Sequence, residues 1–303
     1  MAVTASMVKE LREMTGAGMM DCKKILVEAD GNMDKAIELL REKGLAKAAK
    51  KAGRVAAQGL VKFAISEDGT KAAMVEVNSE TDFVAKNEEF IIFVEGLAKL
   101  ALDNEAADLE AFSALPFGGS TVKDVLTEKI AKIGENMNIR RFTRMDQTGV
   151  KYVGYLHGNG KIGVVVGLET EAPISDVSVC GKDVAMQVAS MNPKFLDESQ
   201  VDPEYLENEK KILVQQALNE GKSADIVEKM VTGRLKKELK ETCLVEQKFV
   251  KDNDLTVKQY VENTAEEIGK SIKVVSMARY EVGEGIEKKE ENFAEEVAKQ
   301  MGN

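Results

Sequence analysis

Two stretches of alternating apolar and polar residues, each interrupted by a glycine turn, constrain the fold of this 303-residue chain most strongly. The first stretch, residues 60–77, turns at 67–70, and the second, residues 150–168, turns at 157–160. Alternation is the period of a half-buried strand, and a glycine turn between two such runs predicts a hairpin. Helical patterns follow both hairpins. The sequence therefore predicts an α+β fold with two similar core subdomains, each an antiparallel sheet with helices on one face.

The composition is that of a globular protein, with 44% hydrophobic residues and a net charge of −10. This charge argues against a nucleic-acid-binding surface. No apolar run approaches the ~20 residues that cross a bilayer, and the first residues lack the pattern of a signal peptide. Cys22, Cys180 and Cys243 are too few and too far apart for a disulfide framework. We expect a cytoplasmic protein that contacts neither nucleic acid nor membrane.

The remaining segments are mostly helical. Residues 1–54 contain three short predicted helices and resemble a ubiquitin-associated domain. Val8, Leu11 and Met14 are the inward-facing residues of the first helix. Gly44 is expected to end the third helix, and a basic linker follows it. We also expect a strand at 244–250. The predicted domains are the helical domain with its linker at 1–54, the core N-subdomain at 55–145, the core C-subdomain at 146–200 and 242–282, a helical-hairpin (coiled-coil) module at 201–241, and a short C-terminal helical module at 283–303.

Two of these helical segments leave their contacts open. The hairpin at 201–241 either makes an oligomer contact or is a rigid protrusion. Its predicted apolar positions are Leu206, Ile212, Leu213, Leu218, Ile226, Val227, Met230 and Leu235. The last helix, residues 292–301, is too short to be stable alone, so it docks either on this chain or on a partner.

The turn after the first hairpin contains one aromatic residue, Phe83, among polar neighbours. Residues 76–86 read Glu-Val-Asn-Ser-Glu-Thr-Asp-Phe-Val-Ala-Lys. Phe83 either folds back onto its own core or is exposed as an anchor for a partner. The second hairpin is followed by residues 169–173, which lack the Thr-Asp-Phe triplet. A triplet present in only one copy of a repeated scaffold indicates a role other than serving the fold, so we interpret it as functional.

The sequence contains partial matches to nucleotide-binding motifs, but each lacks a flanking element or a residue that the motif requires. Residues 158–163 match G-x-G-x-x-G, but a strand pattern follows where dinucleotide binding needs a helix. Two Gly-Lys-Ser triplets, at 221–223 and 269–271, lack the first glycine of a phosphate-binding loop. His157 is the only histidine, which excludes a site with several histidine ligands. We expect no enzyme activity, no bound metal and no cofactor.

Residues 76–86 resemble the central signature of the bacterial elongation factor Ts family, and residues 11–24 resemble its second signature. Ile25 departs from the family pattern, in which a smaller apolar residue is usual. The resemblance implies a guanine-nucleotide exchange factor that binds elongation factor Tu·GDP and promotes GDP release. It also implies that Mg²⁺ is dislodged from the partner by Thr81, Asp82, Phe83 and Val84.

The resemblance further implies five positions that bind the partner. Lys9, Arg12, Met19 and Met20 match positions that contact its GTP-binding domain, and His157 matches a turn that contacts its third domain. From the residues alone, Met19 and Met20 could equally pack internally. A homodimer or a 2:2 complex stays open. The alternative function is an interaction or scaffold protein that binds a partner through the small helical domain without releasing nucleotide.

Overall fold

The structure is a computed structural model that describes residues 3–15, 17–221 and 224–287, with only the backbone of 224–226. The predicted helix at 292–301 lies outside the described residues. The described chain mixes helices with antiparallel sheets, as the sequence predicts. None of the described helices has both the length and the apolar character needed to span a bilayer.

The N-terminal part is a bundle of three helices, α1 (Ala5–Thr15), α2 (Met19–Glu28) and α3 (Met33–Lys51). Asn32 begins α3 as its N-cap, because its side-chain oxygen accepts the Lys35 backbone N–H at 3.0 Å. Two details of the prediction are wrong. Met14 is 60% exposed rather than inward-facing. Gly44 does not end α3, since the helix continues to Lys51. Gly44 packs against the core, where an added Cβ would lie 3.5 Å from the Ala131 Cβ.

The core contains two three-stranded antiparallel sheets of the same design. In each sheet the second strand of a hairpin is central, and a strand from later in the chain pairs with its other side. The first sheet contains β1 (Gln58–Ile65), β2 (Ala72–Ser79) and β5 (Met137–Met145), and the second contains β6 (Val150–His157), β7 (Ile162–Glu169) and β10 (Lys273–Glu281).

Helices cover the outer face of each sheet. Ala73, Val75 and Val77 of β2 pack under the helices of the first sheet, as their alternation predicts. Those helices are α4 (Asp82–Ala85), α5 (Glu88–Asp103), α6 (Leu109–Ala114) and α7 (Val122–Ile133). Val164 and Val166 of β7 pack in the same way under α8 (Ile174–Met191) and α11 (Val257–Ile268). Two small hairpins complete the core: β3 (Pro116–Phe117) with β4 (Ser120–Thr121), and β8 (Lys248–Phe249) with β9 (Asp252–Thr256).

The inner faces of the two sheets pack against each other through a third apolar cluster that includes Val61, Tyr152 and Val165. The hairpins also close each other's edges. The Gly160 carbonyl in the β6–β7 turn accepts the Val61 N–H of β1 at 2.8 Å, and the Gly69 carbonyl in the β1–β2 turn accepts the Tyr152 N–H of β6 at 2.7 Å. Each turn therefore protects an edge strand of the other sheet.

Two further segments differ from the prediction. Only Lys248–Phe249 of the expected strand at 244–250 is extended, because a 3₁₀ turn at Leu244–Glu246 places Leu244 in the core. The hairpin module consists of α9 (Pro203–Asn219) and α10 (Ala224–Thr242), which meet at Ala217, Val227 and Val231. Ile212 and Leu218 are about half exposed, at 49% and 48%, so the apolar stripe is narrower than the sequence suggests.

Candidate functional site

The turn after β2 contains its own short helix, α4. Asn87 is the N-cap of α5, because its side-chain oxygen accepts the Glu89 N–H at 2.9 Å. Phe83 therefore lies in α4, one residue after Asp82. The Ser79 hydroxyl donates to the Thr81 carbonyl at 2.9 Å and closes the start of the turn.

The base of this turn is held firmly by the segment that follows α7. The Glu135 carboxylate accepts two hydrogen bonds from Thr81, one from its backbone N–H at 2.9 Å and one from its hydroxyl at 2.6 Å. Val84 and Ala85 are buried, only 6% and 5% exposed, in the core under α5. Two predicted site residues thus have internal contacts: Thr81 is tied to Glu135, and Val84 secures α4.

Phe83 has the opposite environment, since 79% of it is exposed. The hypothesis that Phe83 folds back onto its own core is therefore wrong. The Lys86 ammonium lies 5.8 Å from the ring centroid. The same ammonium donates a 2.6 Å hydrogen bond to the Asp82 carboxylate. This hydrogen bond lowers the pKa of Asp82, and the charge of Lys161 lowers it further, so an ionised carboxylate lies beside an exposed ring at neutral pH.

The β6–β7 turn lies at the same end of the core as Phe83. Lys161 in this turn donates a 2.6 Å hydrogen bond from its Nζ to the Gln58 side-chain oxygen at the start of β1. Gln58 pairs with Ser79, directly before the Phe83 turn. His157 is exposed, with its Nδ1 3.1 Å from the Tyr155 hydroxyl. The structure therefore places two separately predicted regions, Phe83 and His157, at one end of the core.

The segment after β10 also begins at this end. The Gly283 N–H donates to the buried Glu76 carboxylate at 2.9 Å. Gly283 has φ +74°, and a Cβ there would lie 2.3 Å from the Ala57 carbonyl oxygen, so only glycine fits. We call this end the Phe83 face, defined by Ala57, Gln58, Asp82, Phe83, His157, Lys161 and Gly283.

Glu76 is a residue whose role the sequence analysis missed. It is fully buried, and its carboxylate lies 3.2 Å from Arg140 Nη1 and 2.6 Å from Arg141 Nε. The pairing between β2 and β5 shifts by one residue here, so both consecutive arginines face one carboxylate. A lone glutamate in an apolar strand was the signal in the sequence that could have found this network.

The other predicted contact residues form a second exposed region on the N-terminal bundle. Met19 and Met20 are 53% and 62% exposed, so internal packing does not account for them. Arg12 is exposed, and Lys9 makes a solvent-exposed 3.7 Å ion pair with Glu13. The bundle packs on the core through α3 and α7, whereas the helix that carries Phe83, α4, packs on β1, β2 and α5.

The chemistry of the described residues favours recognition of another protein. No group of three or more His, Cys, Asp or Glu side chains is arranged to hold a metal ion within the described part of the chain. An exposed aromatic ring beside a charge, on a turn tied to the core at its base, is typical of a protein–protein contact site. The fold and the Phe83 face together therefore have the features of a protein that binds another protein.

Comparisons with known proteins identify the family. The family model described as Elongation factor TS matches residues 80–284. The chain is 60% identical over 300 residues to Elongation factor Ts of Clostridioides difficile, covering 99% of both proteins. It is 55% identical over 302 residues to the proteins of that name from Clostridium novyi and Clostridium tetani, with the same coverage. The chain belongs to the elongation factor Ts family, which confirms the predicted resemblance and gives it a role in translation elongation.

Proposed function

We propose that this protein is a guanine-nucleotide exchange factor that binds elongation factor Tu·GDP and promotes release of GDP. The observation that carries the proposal is Phe83, a ring that is 79% exposed on a turn whose base is tied to Glu135 and buried through Val84. Because the base of the turn is fixed, contact with the ring should rearrange the partner rather than the turn.

The physical basis of exchange is linkage between two ligands of one GTPase. The exchange factor and GDP each weaken the binding of the other by the same factor. A GTPase holds its nucleotide through a phosphate-binding loop and Mg²⁺. A ring wedged between partner helices shifts them to another discrete arrangement and disturbs the Mg²⁺ and phosphate site. The protein itself then needs no catalytic group and no cofactor.

The four residues implied in Mg²⁺ displacement have two different roles: two contact the partner, and two hold the turn in place. Phe83 is the wedge, and Asp82 places an ionised carboxylate beside it. Thr81 and Val84 hold the turn, through Glu135 and through the core respectively. Partner contacts outside the turn are assigned to Lys9, Arg12, Met19, Met20 and His157.

The domain organisation proposed with this function follows the predicted boundaries. The ubiquitin-associated-like bundle at 1–54 carries one contact region, and the N-subdomain at 55–145 carries the wedge. The C-subdomain at 146–200 and 242–282 contributes His157, and the coiled-coil module at 201–241 and the C-terminal module at 283–303 complete the predicted organisation. Elongation takes place in the bacterial cytoplasm, where we place the protein.

The proposal is tested by release of fluorescent GDP from purified elongation factor Tu. We expect Phe83→Ala to lower the accelerated rate about 100-fold, as for an interface hot spot worth ~3 kcal/mol. Asp82→Ala should lower it less. Ile92→Ala on α5 is the matched control, because Ile92 is also an exposed apolar residue, at 61%. Parent-like release by both Phe83→Ala and Asp82→Ala would refute the mechanism.

A binding measurement separates the proposal from the scaffold alternative. If the parent protein binds elongation factor Tu·GDP without accelerating GDP release, the scaffold function is correct. The exposed Met19 and Met20 are compatible with either outcome, because both require a contact with the partner.

A further inference from the structure

Lys161 makes contacts that join several parts of the Phe83 face. Its backbone N–H donates to the His157 carbonyl at 3.1 Å, and its carbonyl accepts the Val282 N–H at 2.9 Å. Its half-buried side chain donates to Gln58 at 2.6 Å. One residue thus connects the His157 turn, the first strand and the segment that follows β10.

The link continues from Gln58 to the Phe83 turn. The Asn78 side-chain amide donates to the Gln58 carbonyl at 3.2 Å, and Gln58 is the strand partner of Ser79. The helix that carries Phe83, α4, also packs against β1. Lys161 is close enough to Asp82 for its charge to act on that carboxylate. A displacement of Lys161 would therefore change the spacing between the Phe83 turn and the His157 turn.

The opposite end of the paired sheets offers an internal comparison. There Lys151 of β6 donates from its Nζ to the Asp68 carbonyl in the β1–β2 turn at 2.8 Å. Both lysines therefore tie one sheet to the other. The end with Lys151 contains none of the predicted contact residues, whereas the end with Lys161 contains Phe83 and His157.

We propose that Lys161 is a positioning residue that holds the Phe83 turn and the His157 turn at the spacing needed to engage one partner simultaneously. This inference rests on the proposed exchange function. If the two turns are already held at the correct spacing, the protein loses less conformational entropy when it binds the partner. The Phe83 ring is then also held in a fixed orientation relative to the partner. Lys161 acts through Gln58 and the backbone and itself need not touch the partner.

The first test measures GDP release from elongation factor Tu by variants with matched thermal unfolding midpoints. We expect Lys161→Met to lower the accelerated rate about tenfold, the factor that corresponds to one charge-assisted hydrogen bond. Lys161→Arg keeps the donor and the charge and should stay within about twofold of the parent. Lys151→Met is the control and should match the parent. Equal losses in Lys161→Met and Lys151→Met would overturn the proposal.

A double-mutant cycle separates positioning from a general loss of stability. If Lys161 acts by placing Phe83, then Lys161→Met should add less than about twofold to the defect of Phe83→Ala. A full tenfold additional loss in the double variant would overturn the proposal. Should Lys161→Met fold poorly, Gln58→Leu removes the same side-chain hydrogen bond while keeping the lysine. It should reproduce the loss, and parent-like release by Gln58→Leu would likewise overturn the proposal.

The controls distinguish this inference from the function on which it rests. If the parent does not accelerate GDP release, or Phe83→Ala releases GDP as fast as the parent, the exchange mechanism itself is wrong. If Phe83→Ala is defective while Lys161→Met equals the parent, only the positioning role is wrong.

Discussion

The two sheets of this protein share a design but differ in the turn that follows the central strand. After β2, residues 80–87 form a projecting turn that exposes Phe83. After β7, residues 170–173 lead directly into α8, with Ala172 buried and its N–H bonded to the Thr170 hydroxyl at 3.0 Å. The second sheet shows that a compact turn suffices to join strand to helix. The projection at Phe83 is therefore not required by the fold.

The central strands of the two sheets, β2 and β7, also differ in the polarity of their buried residues. The inner part of β7 is buried with apolar side chains and glycine only, whereas β2 buries Glu76, Asn78 and Ser79. Burying polar groups is costly unless they are paired. Here each of the three is paired, and their partners are Gly283, Gln58 and Thr81 on or beside the Phe83 face. The extra polar groups of β2 thus hold the Phe83 face together.

Among the substitutions that test this difference between β2 and β7, replacing Glu76 should have the largest effect on stability. Glu76→Gln removes the charge that compensates Arg140 and Arg141, and we expect the free energy of unfolding to fall by about 3 kcal/mol. The value lies at the low end for a broken buried pair, because the two arginine side chains remain 28% and 31% exposed. Urea denaturation measures the change.

Val166→Ala in β7 is the reference for Glu76→Gln, with an expected loss of about 2 kcal/mol from apolar packing alone. A loss below about 1 kcal/mol for Glu76→Gln would show that the buried charge of β2 is not what holds the segment after β10.

Replacing Glu135 should have a smaller and more selective effect. Glu135→Ala frees the Thr81 N–H and hydroxyl, so the Phe83 turn loosens while the buried Val84 stays in place. We expect accelerated GDP release to fall about tenfold and the free energy of unfolding to fall by only ~1 kcal/mol.

Glu95→Ala is the control for Glu135→Ala, since it removes an exposed 2.7 Å ion pair with Lys62 on the same sheet. It should leave release unchanged. Parent-like release by Glu135→Ala would mean that the turn of the first sheet is as self-sufficient as its compact counterpart in the second.

Sequence patterns predicted the parts of this fold that depend on local interactions. Both hairpins and the inward apolar face of β2 follow from spacing and turn chemistry alone. The contact between Glu76 and Gly283 could not be predicted in this way, because it joins residues 207 positions apart. Local spacing does not decide the exposure of Phe83 for a similar reason, because the base of its turn is held by the hydrogen bond between Thr81 and Glu135, a contact across 54 positions.

The smallest expected effect concerns the two hairpin turns and their dependence on pH. The Asp68 carboxylate in the first turn accepts the Thr70 N–H at 3.0 Å and the Ser66 hydroxyl at 2.7 Å. These bonds lower the pKa of Asp68 from 3.8 to about 2. Because the folded pKa is the lower one, the contribution of Asp68 to stability is present above pH 3.8 and is lost as the pH falls to about 2.

Asp68→Asn should therefore flatten this part of the acid unfolding profile, followed by circular dichroism, because it removes the contribution that the parent has at neutral pH; that loss at neutral pH should be small, since the carboxylate is exposed. The second turn instead uses Asn159 at φ +55°. Asn159→Ala should lower stability by about 1 kcal/mol at every pH, since alanine tolerates this conformation less well. If Asp68→Asn kept the acid profile of the parent, the two turns would be stabilised in the same way, and the contrast between a carboxylate turn and a backbone turn would be wrong.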